Sequence, residues 1–388
     1  MTTQERPRKR TGRRRTRWPW LALAAACAVL AAAVLPGRLF GGGRGERLDR
    51  SVFDRQDLIY GAQIGAWDMD GGLVTTDPAA GRRVVDAVIR VIRWGVWKRF
   101  DVLGQGGDGT MTLAQFDHAV DGIRRLDAIP LIELPPVWDQ QCDGAADAWN
   151  PAWLEAIVRH AGDRVQLYEF ANEPDHYCGW DGARYAAEWI RTVPRLKRLA
   201  RSLGFEIYVG GPATANTDPD ALRTVQRFLI DVRAAYDRGG DRDVVPDFVS
   251  THTYPNRATR PTLADVLDQV GEWGRIYDQL RAAVDQAFAG AADRQGRPLG
   301  PQIRLADSEY NFTTDPRDPR ASDHEFVRRY QLAMLAMLRD HHVWLGVEFT
   351  IASHGGGALD LLGRDGSPTP LYDAFAAVSR ADPSNRHR

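Results

Sequence analysis

From residue 51 onwards the chain switches its hydrophobic period repeatedly. A short apolar run of strand character is followed by a stretch with apolar residues three and four apart, eight times over. The strand-like runs cover residues 58–66, 91–96, 130–134, 165–171, 206–210, 247–253, 303–310 and 346–352. Helical periods are clearest over residues 113–126, 185–203, 222–236, 263–288 and 325–338, and Pro194 is expected to kink or divide the second of these. Strands that alternate with helices build βαβ units, whose parallel strands are buried on both faces. Eight units in about 330 residues indicate an α/β fold, a (β/α)8 TIM barrel. The competitor is an open doubly wound sheet, and the lack of a glycine-rich phosphate fingerprint after the first strand counts against it.

Composition adds only bounds. With 388 residues, 44% hydrophobic and 26% charged, the chain can bury one large core, and no second domain, internal repeat or low-complexity segment stands out. The net charge of −1 conceals an asymmetry: residues 1–17 carry eight Arg or Lys against one Glu, so the rest carries about −8. Nothing outside that tail has the footprint of a nucleic-acid binder.

The basic tail precedes an uncharged run of 18 residues, 18–35, just long enough to span a bilayer. Eight cations before it point to a cytoplasmic N-terminus, a single-pass signal-anchor and everything after Pro36 outside the cell. The alternative is a signal peptide cleaved after the small residues Ala31 to Ala33, giving a secreted protein. Residues 36–50 then read as a flexible glycine-rich linker, 51–380 as the barrel, and 381–388 as a frayed tail.

In such a barrel, chemistry sits where strands end. Strand 4 runs Val165-Gln-Leu-Tyr-Glu-Phe-Ala and then breaks into Asn172-Glu-Pro-Asp175, leaving Glu173 at the rim because Pro174 cannot continue a ladder. Strand 7 ends in the same way, in Ser308-Glu-Tyr-Asn311, with Glu309 at the rim. Strands 4 and 7 are not neighbours, so two inward side chains at their tops face each other across the mouth. On strand 6, Ser250-Thr-His-Thr-Tyr-Pro255, alternation turns His252 and Tyr254 the same way. On strand 2, Arg93 interrupts an apolar run, and a buried cation needs a partner.

Asn172-Glu173-Pro174 resembles the acid/base motif of clan A glycoside hydrolases. Together with Tyr168-Glu-Phe-Ala-Asn-Glu-Pro-Asp175 and Ser308-Glu-Tyr-Asn311, it resembles family 39, which holds β-xylosidases, iduronidases and exopolysaccharide hydrolases. The resemblance runs from about residue 59 to 375 and is specific at strands 4, 6 and 7. It implies a retaining hydrolase of an extracellular or cell-surface polysaccharide. In that reading Glu309 is the nucleophile and Glu173 the acid and then base, about 5 to 5.5 Å apart. It implies that Asn172 bonds the sugar 2-hydroxyl, that His252 and Tyr254 contact substrate and nucleophile, and that Arg93 lies beside Glu309. The acid role calls for a Glu173 carboxyl raised above its ordinary range. Three departures weigh against xyloside specificity: Ala171 stands where the family usually has Trp, strand 8, from Phe349 to His354, lacks a clear aromatic platform, and no β-sandwich domain is expected after the barrel. A catalytically silent glycan-binding barrel and a transglycosylase are the other readings of the same residues.

Strict alternation turns Glu173 inward together with Glu169, and Asn172 outward, so the role of Asn172 requires the strand to break form at its tip. Glu133 and Glu169 are expected to pair with Arg93 beneath the site. Trp67, Trp138 and Trp180 lie on loops at the mouth, where Trp138 and Trp180 are candidates for stacking on sugar rings. Cys142 and Cys178 follow neighbouring strands and are either bridged or free thiols. The sequon Asn311-Phe-Thr313 is too near the proposed nucleophile to carry a glycan. No metal-ligand spacing recurs and no cofactor is implied.

Overall fold

The computed structural model describes residues 57–64, 72–95, 99–101, 110–134, 151–255, 261–352 and 357–383. Eight parallel strands close into a barrel: β1 (Ile59–Gln63), β2 (Val91–Gly95), β3 (Ile129–Leu134), β4 (Leu167–Phe170), β5 (Tyr208–Thr214), β6 (Phe248–Thr253), β7 (Arg304–Tyr310) and β8 (Leu345–Glu348). Each pairs with its neighbour in sequence, and β8 returns to β1 through Ile59 opposite Leu345. The longer helices among the described residues are α1 (Pro78–Asp86), α2 (Leu113–Arg125), α3 (Pro151–Ala161), α4 (Gly182–Ser202), α5 (Pro219–Gly239), α6 (Leu263–Ala287), α7 (His324–Asp340) and α8 (Pro370–Ala381). This is a (β/α)8 barrel, as the alternation of periods requires.

Boundaries differ where local rules give way to packing. Pro194 does not divide α4, whose buried face of Tyr185, Trp189, Val193, Leu196 and Ala200 holds the helix through it. β5 runs past Gly210 to Thr214, with a register shift beyond Pro212, and β8 stops at Glu348. A parallel pair of short strands, Arg99–Asp101 with Thr110–Thr112, has no sequence signal. Ala381 closes α8, and Tyr60 Oη donates to Asp382 Oδ2 at 2.6 Å, so the chain is still held where fraying was expected to begin.

Two apolar layers hold the barrel. Inside, Val91, Leu131, Leu167, Phe248 and Ala306 form a plug. Gly210 has no side chain there because a Cβ would run into the Phe248 ring. Outside, the helices bury their apolar stripes on the strands. α2 starts at a capping box of Thr112 with Gln115, and its Phe116 meets Trp94 with ring centres 5.9 Å apart. Behind β4 the rings of Phe170, Tyr185, Trp189 and Phe228 interlock at 5.0–6.1 Å. Fully burying each such ring stabilises the fold by about 1.5–3 kcal/mol, which fastens the strand that ends at Glu173.

Side-chain alternation sets what lies above the plug. Two residues beyond Val91, Leu131 and Leu167 come Arg93, Glu133 and Glu169, all fully buried. The anchor (18–35), its flanks (1–17 and 36–50), Trp67, Trp138 and Cys142 lie outside the described residues. Among the described residues no helix is long and apolar enough to cross a membrane.

Candidate active site

The tip of β4 breaks form as the role of Asn172 requires. Ala171 and Glu173 both take left-handed backbone, at φ 78° and 46°. Such conformations cost non-glycine residues of order 1–3 kcal/mol and persist only where surroundings enforce them. Here Ala171 N–H donates to Leu134 O and Glu173 N–H to Ala213 O, so both neighbouring strands hold the turn. Asn172 and Glu173 can then both face the mouth. Glu173 leads into the short helix Pro174–Tyr177, which starts at the proline that stopped the strand.

The tip of β7 is re-aimed by a bulge. Leu305 packs under the helices, Ala306 faces the interior, and Asp307 turns outward to accept from Thr253 Oγ1 at 2.6 Å. Continued alternation would send Glu309 outward as well. Instead Thr251 pairs with Asp307 and His252 with Glu309, leaving Ser308 as an extra residue. One extra residue reverses the facing of all that follow, and Glu309 enters the site. Tyr310, now outward, meets Gln331 of α7 at 3.1 Å.

Arg93 ties the two tips together through four hydrogen bonds. Nε donates to Glu169 Oε2 at 2.7 Å and Nη2 to Asn172 Oδ1 at 2.8 Å, with Nη2 also in ion-pair contact with Glu169 Oε2 at 2.6 Å. Nη1 donates to Gln63 Oε1 at 2.7 Å and Glu309 Oε2 at 2.8 Å. Burial alone would lower its pKa, but Glu133, Glu169 and Glu309 push it up, so it stays a cation. The second oxygen of Glu309 accepts from Tyr254 Oη at 2.6 Å, which fixes both oxygens of the carboxylate. Burial and then the Glu309 charge hold the Tyr254 phenol well above its usual range.

Glu173 pairs with His252, Oε1 to Nδ1 at 2.7 Å. Burial pushes the carboxyl up, but the hydrogen bond and charge of His252, with His176 and Arg93 behind, bring it below its ordinary value. Burial lowers His252 as well, and the Glu309 and Glu173 charges reverse this, taking the imidazole to about 9. The raised acid expected from the role of Glu173 is therefore replaced by a pair whose proton rests on His252. Donor atoms of Glu173, His252 and Glu309 all lie within 4.8 Å of one another, a spacing compact enough for a metal ion. The Arg93 guanidinium against Glu309 opposes a second cation there.

The remaining candidates divide. Trp180 is buried, with the Arg184 guanidinium 5.2 Å from its ring centre, which leaves little face for a sugar. Glu169 meets Arg93 as expected, whereas Glu133 comes only to 3.6 Å and accepts no hydrogen bond. Asn311 is fully buried, with its amide on Phe349 O and Leu359 O, so it cannot take a glycan. Cys178 is disulfide-bonded. Sequence reasoning missed Gln63, whose signal was a polar residue ending an apolar strand. It also missed Phe349, whose ring meets Tyr254 edge-on at 6.2 Å just after β8. Tyr177 was missed too, and burial and then the Glu173 charge raise its phenol.

Neither a protein-family model nor a curated protein sequence matches the chain. Solved structures do. A glucosidase from Croceicoccus marinus superposes with a TM-score of 0.58 at 17% identity, over 87% of this chain and 69% of that one. The chain shares its fold with clan A glycoside hydrolases. A GH39 β-xylosidase from Caulobacter crescentus matches at TM-score 0.52 and 18% identity, over 87% of this chain and 73% of that one. The catalytic domain of a GH26 endo-β-1,4-mannanase from Bacillus sp. JAMB-750 matches at 0.54 and 13%, over 88% and 94%. Identities this low speak for the glycosidase fold alone, and the roles of individual residues rest on the geometry above.

Proposed function

We propose that the chain is a retaining glycoside hydrolase acting by double displacement. The observation that carries this reading is the meeting of Glu173 and Glu309 from strands that do not pair. Each is 12% exposed and each is held by its own donors. Glu309, fixed by Arg93 and Tyr254, attacks the anomeric carbon while Glu173 protonates the departing oxygen. That proton crosses the 2.7 Å bond from His252 Nδ1 as the leaving oxygen draws it through Glu173. In the second step Glu173 takes a proton from water and returns it towards His252 while the water oxygen bonds the anomeric carbon and displaces Glu309 as a carboxylate. Asn172, oriented by Arg93, is the donor for the sugar 2-hydroxyl.

The substrate in this reading is a cell-surface or extracellular polysaccharide, with the enzyme tethered through residues 18–35 and its barrel outside the cell. The basic run before an uncharged 18-residue stretch supports the tether. A full-length protein found with membranes, and a soluble, active form starting near Ser51, are expected. A mature secreted form lacking the first 33 or so residues would refute the tether.

The test of the chemistry separates the two glutamates. A good phenolate leaves unaided, so Glu173→Ala should keep much of its glycosylation rate on an activated aryl glycoside and be rescued by azide. Glu309→Ala should be inactive on every substrate. Saturable glycan binding without mutant-sensitive hydrolysis would favour a silent binding barrel, and products appearing only with an acceptor sugar would favour a transglycosylase.

A further inference from the structure

Glu133 lies on β3 in the same layer as Arg93 and Glu169 and is fully buried. Neither of its oxygens has a hydrogen-bond partner among the described residues. The nearest cation is Arg93, with Nη1 at 3.6 Å, but both hydrogens of Nη1 are already on Gln63 and Glu309. An ionised carboxylate in that position would be a buried charge with no donor, which a fold does not sustain. Beside it, in register on β4, stands Glu169, whose Oε1 is likewise unpartnered while its Oε2 accepts from Arg93 Nε and lies in ion-pair contact with Nη2. A neutral Glu133 has the one O–H that this pair lacks.

We propose that Glu133 carries a proton directed at Glu169, and that losing it draws Arg93 away from Glu309, making Glu133 a positioning residue that shuts the site at alkaline pH. This rests on the hydrolase reading above. Once ionised, Glu133 competes for the Nη1 hydrogen now held by Glu309, and a small movement of the guanidinium decides between them. Glu309 Oε2 then loses its donor and the nucleophile loses its aim. The groups facing Glu133 are Arg93 from β2, Glu169 from β4, His252 from β6, Glu309 from β7 and Tyr177 from the short helix after β4. Burial pushes Glu133 up, Glu169 and Glu309 add to this, Arg93 and His252 oppose it, and the carboxyl comes to about 8.

The test is the pH profile of kcat/KM, with Glu133→Gln and Glu133→Met as two side chains of similar length that cannot ionise. In the wild type the alkaline limb should fall near about 8. In the variants it should move towards the about 9 of His252, so that near pH 9 each retains roughly tenfold more of its plateau than the wild type. The readout is the position of the limb, which a merely structural role would not move. A limb that stays put in a folded variant overturns the proposal. Infrared difference spectra give a readout independent of hydrolysis. The wild type should show a protonated-carboxyl band that titrates away above neutral pH and is missing from both variants, and its absence also overturns the proposal. If the wild type hydrolyses no substrate while the band is present, the hydrolase reading fails and the proton on Glu133 stands.

Discussion

His252 offers a pH signature that can be worked out from the structure. An imidazole in the unfolded chain holds its proton to about pH 6.5, and His252 in the folded chain to about 9. The side chain is fully buried, so solvent does not screen the interaction. At about 1.4 kcal/mol per pH unit, the gap is worth about 3 kcal/mol of stability. Because the folded value lies above the unfolded one, this stability is present in full below about 6.5 and is lost as pH rises through about 9. The lowering of Glu173 describes the same ion pair from its other side and is not added to it. His252→Gln keeps a donor near Glu173 but cannot be charged. Urea unfolding of wild type and variant near pH 6 and again near pH 10 gives two penalties, and the first should exceed the second by about 3 kcal/mol. Differences between the two proteins cancel the other titrating groups. Equal penalties at both pH values would refute the assignment of the proton to His252.

Three further outcomes follow from the same geometry. Tyr254→Phe removes a 2.6 Å donor to Glu309 and should lower kcat/KM by about ten- to a hundredfold, from a charge-assisted bond of about 1.5–3 kcal/mol. Arg93→Lys leaves three donors to serve Gln63, Asn172, Glu169 and Glu309, so denaturant unfolding should show a loss of about 2–4 kcal/mol along with most of the activity. Gly210→Ala pushes a methyl into the Phe248 ring inside the barrel and should cost about 1–3 kcal/mol in a thermal melt, without touching Glu173 or Glu309.

Much of the site was legible because it was written in strand ends. A carboxylate after an apolar run, closed by proline or followed by a polar string, marks Glu173 and Glu309 without any knowledge of neighbours. Arg93 was legible as a cation where no cation belongs. Gln63 and Tyr177 were not, since neither a polar residue at a strand end nor a tyrosine in a short helix is unusual enough to stand out. The state of Glu173 was read the wrong way, because its role suggests a raised acid while its neighbour His252 takes the proton.

The sequence by itself determined the barrel, because periods of two and of about 3.6 residues are set by local backbone geometry and eight alternations leave few ways to bury both faces of a strand. Only the tertiary structure decided which way the tips face. The extra residue at Ser308 and the left-handed turns at Ala171 and Glu173 arise from pairing with β6, β3 and β5, and no window along one strand contains that information. The same holds for Glu133. Its isolation follows from the count of hydrogens on Arg93 after four other residues have bonded to it, a quantity that exists only once five strands have met.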